Sequence, residues 1–217
     1  MPTTRPRIAL AATLLAAGAA IALSACTAPA PSPTDSGSTT PTAVPTDSHA
    51  SGPGAAACEK AGGVVQSRQP TWGTNNDPAQ WVELGEPIDV CRFQTLGDEA
   101  NSRLYADLVT ISSSKPTLAA LAYLSKTQFE GSITGNPASQ LCVQLGGAIS
   151  YGPSPAGGGL VNTDDPDDVV FAPCYFADGS FIDEWGIAYY AGGDARGIDL
   201  TTVFAFDQSS LPPVFAG

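Results

Sequence analysis

Hydrophobic and polar positions fall into three regimes along the 217 residues. Ile8 to Leu23 is a 16-residue apolar run, and Thr27 to Ala57 has no periodicity at all. Beyond Cys58 the pattern alternates between helix and strand spacings. Ala138, Leu141, Cys142 and Leu145 stand at i, i+3, i+4 and i+7 behind Asn136 and Pro137, which predicts an amphipathic helix with an Asn N-cap and Pro at its first position. Gly146-Gly147 stops it. Val170, Ala172, Cys174 and Phe176 have period two, so Cys174 and Phe176 are expected on one strand face. Asp178-Gly179 then reads as a hairpin turn, with Phe181 to Tyr190 as the return strand. Leu118, Leu121, Ala122 and Leu124 after Pro116 predict a second helix, packed on the core by that stripe.

Internal similarity organises the segment from 58 onward. Cys58-x-x-x-Gly62-Gly63 recurs as Cys142-x-x-x-Gly146-Gly147, and a second cysteine follows 33 residues later in one copy and 32 in the other. Each second cysteine opens a C-x-F triplet, Cys91-Arg92-Phe93 and Cys174-Tyr175-Phe176. Asp107-Leu108 and Glu184-Trp185 come next, and apolar segments start near Leu118 and Leu200. Agreement at this many offsets predicts a tandem duplication. The expected fold is α+β, with a first repeat over 58–134 and a second over 135–217. Each repeat is a short helix, an antiparallel β-meander and a short C-terminal helix, with one disulfide. Four cysteines allow three pairings, and the repeat selects Cys58 with Cys91 and Cys142 with Cys174.

The N-terminal quarter changes the setting. Arg5 and Arg7 precede the apolar run, and Leu23-Ser24-Ala25-Cys26 ends it as a lipobox, so residues 1–25 read as a lipoprotein signal peptide and Cys26 as the lipidation site. Acyl chains stabilise membrane association by about 0.8 kcal/mol per buried methylene, and two or more hold the protein firmly. No later apolar run reaches the roughly 18 residues a spanning helix needs. The expected location is the extracytoplasmic face of a bacterial cell membrane, where disulfides persist. Residues 26–57, rich in Pro, Ser and Thr, form a disordered tether with a reach of about 30 Å.

Charge narrows the partners. The chain carries −12 formally, and −14 once the segment with Arg5 and Arg7 is cleaved, which disfavours nucleic acid and anionic headgroups and favours a basic envelope protein. His49, the single histidine, lies in the tether, so no Ser-His-Asp or Cys-His pair is available inside the fold. No cofactor motif is present, and the expectation is a protein without catalysis. Asp164, Asp165, Asp167 and Asp168 could offer oxygens to calcium, although the glycine and closing Glu of an EF-hand loop are missing. Trp72, in a loop rich in turn residues, could stack on a sugar ring or anchor a partner. Asp183 and Glu184, adjacent on the expected strand, would point to opposite faces. Glu184 remains a candidate ligand-binding residue, with Trp185 filling the core.

Asn136-Pro137-Ala138-Ser139-x-x-Cys142, Gly146-Gly147, Cys174, Asp178-Gly179 and Asp183-Glu184-Trp185 together resemble a family of small bacterial envelope lipoproteins of unknown function that carries a haemolysin label. The resemblance covers residues 136 to about 190. In the first copy Gly52-Pro53 and Asp107-Leu108 depart from it, and only the cysteine, glycine and strand framework carries over. No active site comes with the family, and direct lysis does not suit so acidic a chain without a long amphipathic helix. The reading is a membrane-anchored binding or structural module. Regulation of an envelope hydrolase, as an inhibitor would act, is the alternative, and a carboxylate-dependent enzyme is the second.

Overall fold

Local chemistry accounts for the helix ends first. In the computed structural model, which describes residues 51–97, 101–149 and 155–215, helix α1 (Pro53–Lys60) and helix α4 (Pro137–Gln144) both start on proline and stop at paired glycines. Asn136 caps α4 by accepting the Ala138 N–H, as its position predicts. The N–H of Gly63 bonds the Cys58 carbonyl at 2.9 Å and that of Gly147 bonds the Cys142 carbonyl at 2.9 Å, the 6→1 bond of a Schellman stop. Gly62 and Gly146 take the left-handed turn, each at φ 84°. The second glycine of each pair answers to a different constraint. A Cβ on Gly63 would lie 2.4 Å from Cys91 Sγ, and one on Gly147 would lie 2.5 Å from Cys174 Sγ. Disulfides Cys58–Cys91 and Cys142–Cys174 are formed, both buried.

The strands are β1 (Val64–Trp72), β2 (Val82–Glu83), β3 (Ile88–Gln94), β4 (Arg103–Asp107), β5 (Ala148–Ile149), β6 (Gly158–Asn162), β7 (Pro173–Tyr175) and β8 (Phe181–Asp183). They form one curled antiparallel sheet in the order β2-β1-β3-β4-β8-β7-β5, with β6 added to β1 from Arg68↔Asn162 to Trp72↔Gly158. The second half therefore does not keep its strands in a meander of its own, because β6 crosses to the first half. Helices α2 (Leu108–Ser112), α3 (Leu118–Leu124) and α5 (Glu184–Ala191) complete the architecture, followed by short 3₁₀ turns.

Apart from β6 on β1, the two halves are joined in the sheet by the pair Ala106↔Ile182 between β4 and β8. One residue beyond it on each strand, a carboxylate caps the next helix and reaches across. Asp107 accepts the Thr110 N–H at 2.8 Å and the Phe181 N–H at 2.6 Å. Asp183 accepts the Gly186 N–H at 2.6 Å and the Tyr105 N–H at 2.8 Å. Each carboxylate thus holds its own helix and its neighbour's strand. Burial pushes the Asp183 carboxyl up to about 7, against the lowering effect of those N–H donors, and it raises Asp107 as well.

Sheet alternation sends Cys91, Phe93, Leu104, Ala106 and Ile182 to one face, where they pack with Ile111, Tyr123, Leu141, Ile187 and Leu200 in one core drawn from both halves. Val90, Tyr105, Leu160, Phe171 and Phe181 form a smaller cluster on the other face.

Four expectations are corrected. The return strand ends at Asp183 and α5 takes over, because the Asp183 carboxylate caps a segment whose Ile187, Tyr190 and Ala191 bury at helical spacing. In α3 the stripe is rotated: Leu118 is 42% exposed, while Ala119, Ala120 and Tyr123 are the innermost residues. Thr117 caps α3 by accepting the Ala120 N–H, and Asp178 of the hairpin turn accepts the Leu118 N–H, which fixes that rotation. Trp72 closes β1, paired to Val82 and Gly158, and is no loop residue. Helix α1 begins at Pro53, inside the segment assigned to the tether. Cys26, His49 and the signal segment lie outside the described residues. Among the described residues no helix is long and apolar enough to cross a membrane.

Candidate functional site

Glu184 is the first residue of α5, and its backbone N–H is fixed to the Ala172 carbonyl. Its side chain is only 4% exposed. Oε1 accepts Asn136 Nδ2 at 3.2 Å and Ser139 Oγ at 2.9 Å, so the N-terminal turn of α4 holds half of the carboxyl. Oε2 is buried with no hydrogen-bond partner among the described residues. Burial pushes the Glu184 carboxyl above its ordinary value, partly offset by Ser139. A buried oxygen without a donor costs about 1–3 kcal/mol, which calls for an explanation.

Glu184 lines a cleft of about 660 Å³. Asp183 and Trp185 flank it, Thr74 and Asn75 enter from the loop after β1, and Asn101 to Arg103 enter from the start of β4. Val169 to Ala172 supply a further wall. Trp185 is 42% exposed and stacks on Tyr189 at 5.5 Å between ring centroids. The Arg196 guanidinium sits 3.3 Å over the Tyr189 ring, so three planar groups stand in series along one side. The core position expected for Trp185 is therefore corrected. Starting the helix at Glu184 turns the carboxyl inward and the indole outward.

Behind the opposite wall lies an ion-pair cluster. Asp168 pairs with Arg68 at 2.8 Å and with Arg103 at 3.0 Å. Arg68 is fully buried, 4.8 Å from the Tyr105 ring centroid, and Tyr105 itself stacks on Phe171. Burial raises the Asp168 carboxyl, but the Val169 N–H, Asn162 and the two arginines outweigh it and hold it below its ordinary value. Asp164, Asp165 and Asp167 are exposed on the loop, while Asp168 turns inward to the arginines. The four carboxylates do not converge, and among the described residues no group of three His, Cys, Asp or Glu side chains could hold a metal ion.

Of the sequence candidates, the structure brings Glu184 alone into the cleft; Trp72 and the acidic loop lie elsewhere. Arg103, Tyr189 and Arg196 were not anticipated. The available signal was scarcity, since the whole chain has nine Lys and Arg and an arginine in so acidic a sequence needs a reason.

Asp183, beside Glu184, is engaged on both oxygens. They accept backbone N–H groups, so it is occupied in holding α5 against β4. No family model, no characterised protein and no solved structure matches the chain at a significant level.

Proposed function

We propose that the chain is a lipid-anchored extracytoplasmic module, held through Cys26, that binds a small ligand in the Glu184 cleft without transforming it. The carrying observation is the Glu184 carboxyl, buried at the cleft with one oxygen secured and the other lacking a donor. A ligand hydroxyl or N–H would satisfy it. The occupied oxygens of Asp183 support binding over carboxylate-pair catalysis, because a second acidic group is not free to act. The lipobox and the resemblance to envelope lipoproteins support the location. Duplication of an ancestral unit is part of the same reading, supported by the matched Schellman stops, disulfides and crossed caps.

The test uses the full chain in detergent, labelled with 5-fluorotryptophan. Trp72 and Trp81 do not line the cleft and serve as internal references for Trp185 in the fluorine spectrum. Neutral, anionic and cationic small molecules are titrated in turn. A saturable change at Trp185 alone, with the ligand recovered unchanged by mass spectrometry, is expected for at least one class. A spectrum indifferent to all three classes defeats the reading, and a chemically altered ligand makes the protein an enzyme.

A further inference from the structure

The composition of the cleft points to a ligand class. Two arginines and two carboxyls line its walls, and among the described residues Arg103 Nε, Arg196 Nε and Glu184 Oε2 are buried without a partner, so the cleft holds both orphaned donors and an orphaned acceptor. Arg103 shares Asp168 with the buried Arg68, Arg196 lies on Tyr189, and Asp183 is spent on backbone N–H groups. A cationic ligand seated at Glu184 would meet Arg103 and Arg196 across the cleft. An anionic one seated on the arginines would face Glu184 and Asp183. A ligand of either sign meets a group of its own sign on these walls.

A hydroxyl, which donates and accepts through one atom, suits such a mixture. Thr74, Asn75 and Asn101 add neutral hydroxyl and amide groups, with Asn75 Nδ2 donating to the Pro155 carbonyl and Asn101 Oδ1 accepting from Gln94. Trp185 offers an exposed flat ring whose tilt is fixed from behind by Tyr189, itself covered by Arg196. A flat apolar surface beside directional neutral donors and acceptors suits a ring with one face of C–H bonds and an edge of hydroxyls. The cleft volume of about 660 Å³ lies within the range of small-molecule sites.

From this we infer that the cleft binds a neutral carbohydrate, with a sugar ring laid on Trp185 and a hydroxyl or acetamido N–H donated to Glu184 Oε2. The inference rests on the binding reading above and adds the ligand's chemistry. A free carboxylate oxygen is the acceptor such a donor needs, and it accepts more strongly than a neutral carbonyl. Trp185 determines which ring face is covered.

Fluorine spectra and titration calorimetry are run on the full chain with four neutral probes, maltotriose, cellotriose, mannotriose and triacetylchitotriose, each to about 10 mM, enough to detect a millimolar complex. Lysine, choline and inorganic phosphate are the charged comparisons. At least one trisaccharide is expected to move the Trp185 signal saturably. Trp185→Ala should weaken that binding at least tenfold and Trp185→Phe should restore most of it. Glu184→Gln, which exchanges the acceptor for a donor amide, should also weaken it at least tenfold. Trp185 is exposed enough for its variants to fold, so the result stands even where Glu184→Gln does not. Silence from all four sugars while lysine, choline or phosphate moves Trp185 overturns the carbohydrate assignment and leaves a binding site. Silence from every probe overturns both.

Discussion

Replacing Asp183 by Asn tests the crossed caps through pH. In the folded chain the Asp183 carboxyl is pushed up to about 7, against an ordinary value of 3.8 that applies when unfolded. Between those values the native state holds a proton that the unfolded state has released. Stability is therefore fully present below the lower value and is lost as pH rises through the higher one. At about 1.4 kcal/mol per pKa unit, that window corresponds to about 4 kcal/mol, a large share of a typical total of about 5–15 kcal/mol. Asp107 and Glu184 are shifted in the same direction by burial and steepen the loss. Asp168 and Asp178 are held low, so their contribution is present above their ordinary range and lost only as pH falls below it. Asn at 183 keeps one oxygen for the Gly186 N–H but sets an amide donor against the Tyr105 N–H, a cost of about 1–3 kcal/mol. Urea unfolding followed by Trp fluorescence, with disulfides intact, should find Asp183→Asn less stable than wild type near pH 5. The deficit should shrink or reverse by pH 8. Profiles that run parallel across this range would refute the assignment of the titration to Asp183.

Three further outcomes are expected. Gly147→Ala places its Cβ 2.5 Å from Cys174 Sγ and 2.8 Å from Cys142 Sγ, so it should cost about 2–3 kcal/mol in thermal melts; an unchanged Tm contradicts the packing argument. Asp168→Ala strands the fully buried Arg68 guanidinium and should cost about 3–5 kcal/mol, and a loss under 1 kcal/mol would show that the cluster tolerates an unpaired charge. Replacing Cys142 and Cys174 by Ser reopens a 32-residue loop, worth about 4 kcal/mol in the chain-entropy model, and equal urea midpoints for both proteins would remove that contribution.

Elements with local causes were legible in the residues. Asn136, Pro137 and the spacing from Ala138 to Leu145 specify α4, and the cysteine-to-glycine offset reflects a Schellman stop beside a disulfide. Asp178-Gly179 likewise makes the hairpin turn. Helix α5 escaped because it is apolar on nearly every side, its outward positions being Trp185, Ala188 and Tyr189, so no amphipathic period distinguishes it from a strand. With the element type went the faces, which exchanged the roles of Glu184 and Trp185. The strand β6 escaped because its partner β1 is distant in the chain, and no local pattern records such a pairing. Glu184 was legible as a candidate, but the cleft was not, since its walls come from segments that only the sheet order brings together.

The crossed caps also govern the order of assembly. Each disulfide closes 33 or 32 residues within its own half, whereas the bonds from Asp107 to Phe181 and from Asp183 to Tyr105 span 74 and 78 residues. Short loops close sooner than long ones, so oxidation of each half can precede their docking. Neither half can then bury its own carboxylate alone, because each needs an N–H that only the other provides. A chain ending before Phe181 would carry a correct Cys58–Cys91 bridge and an unfinished sheet.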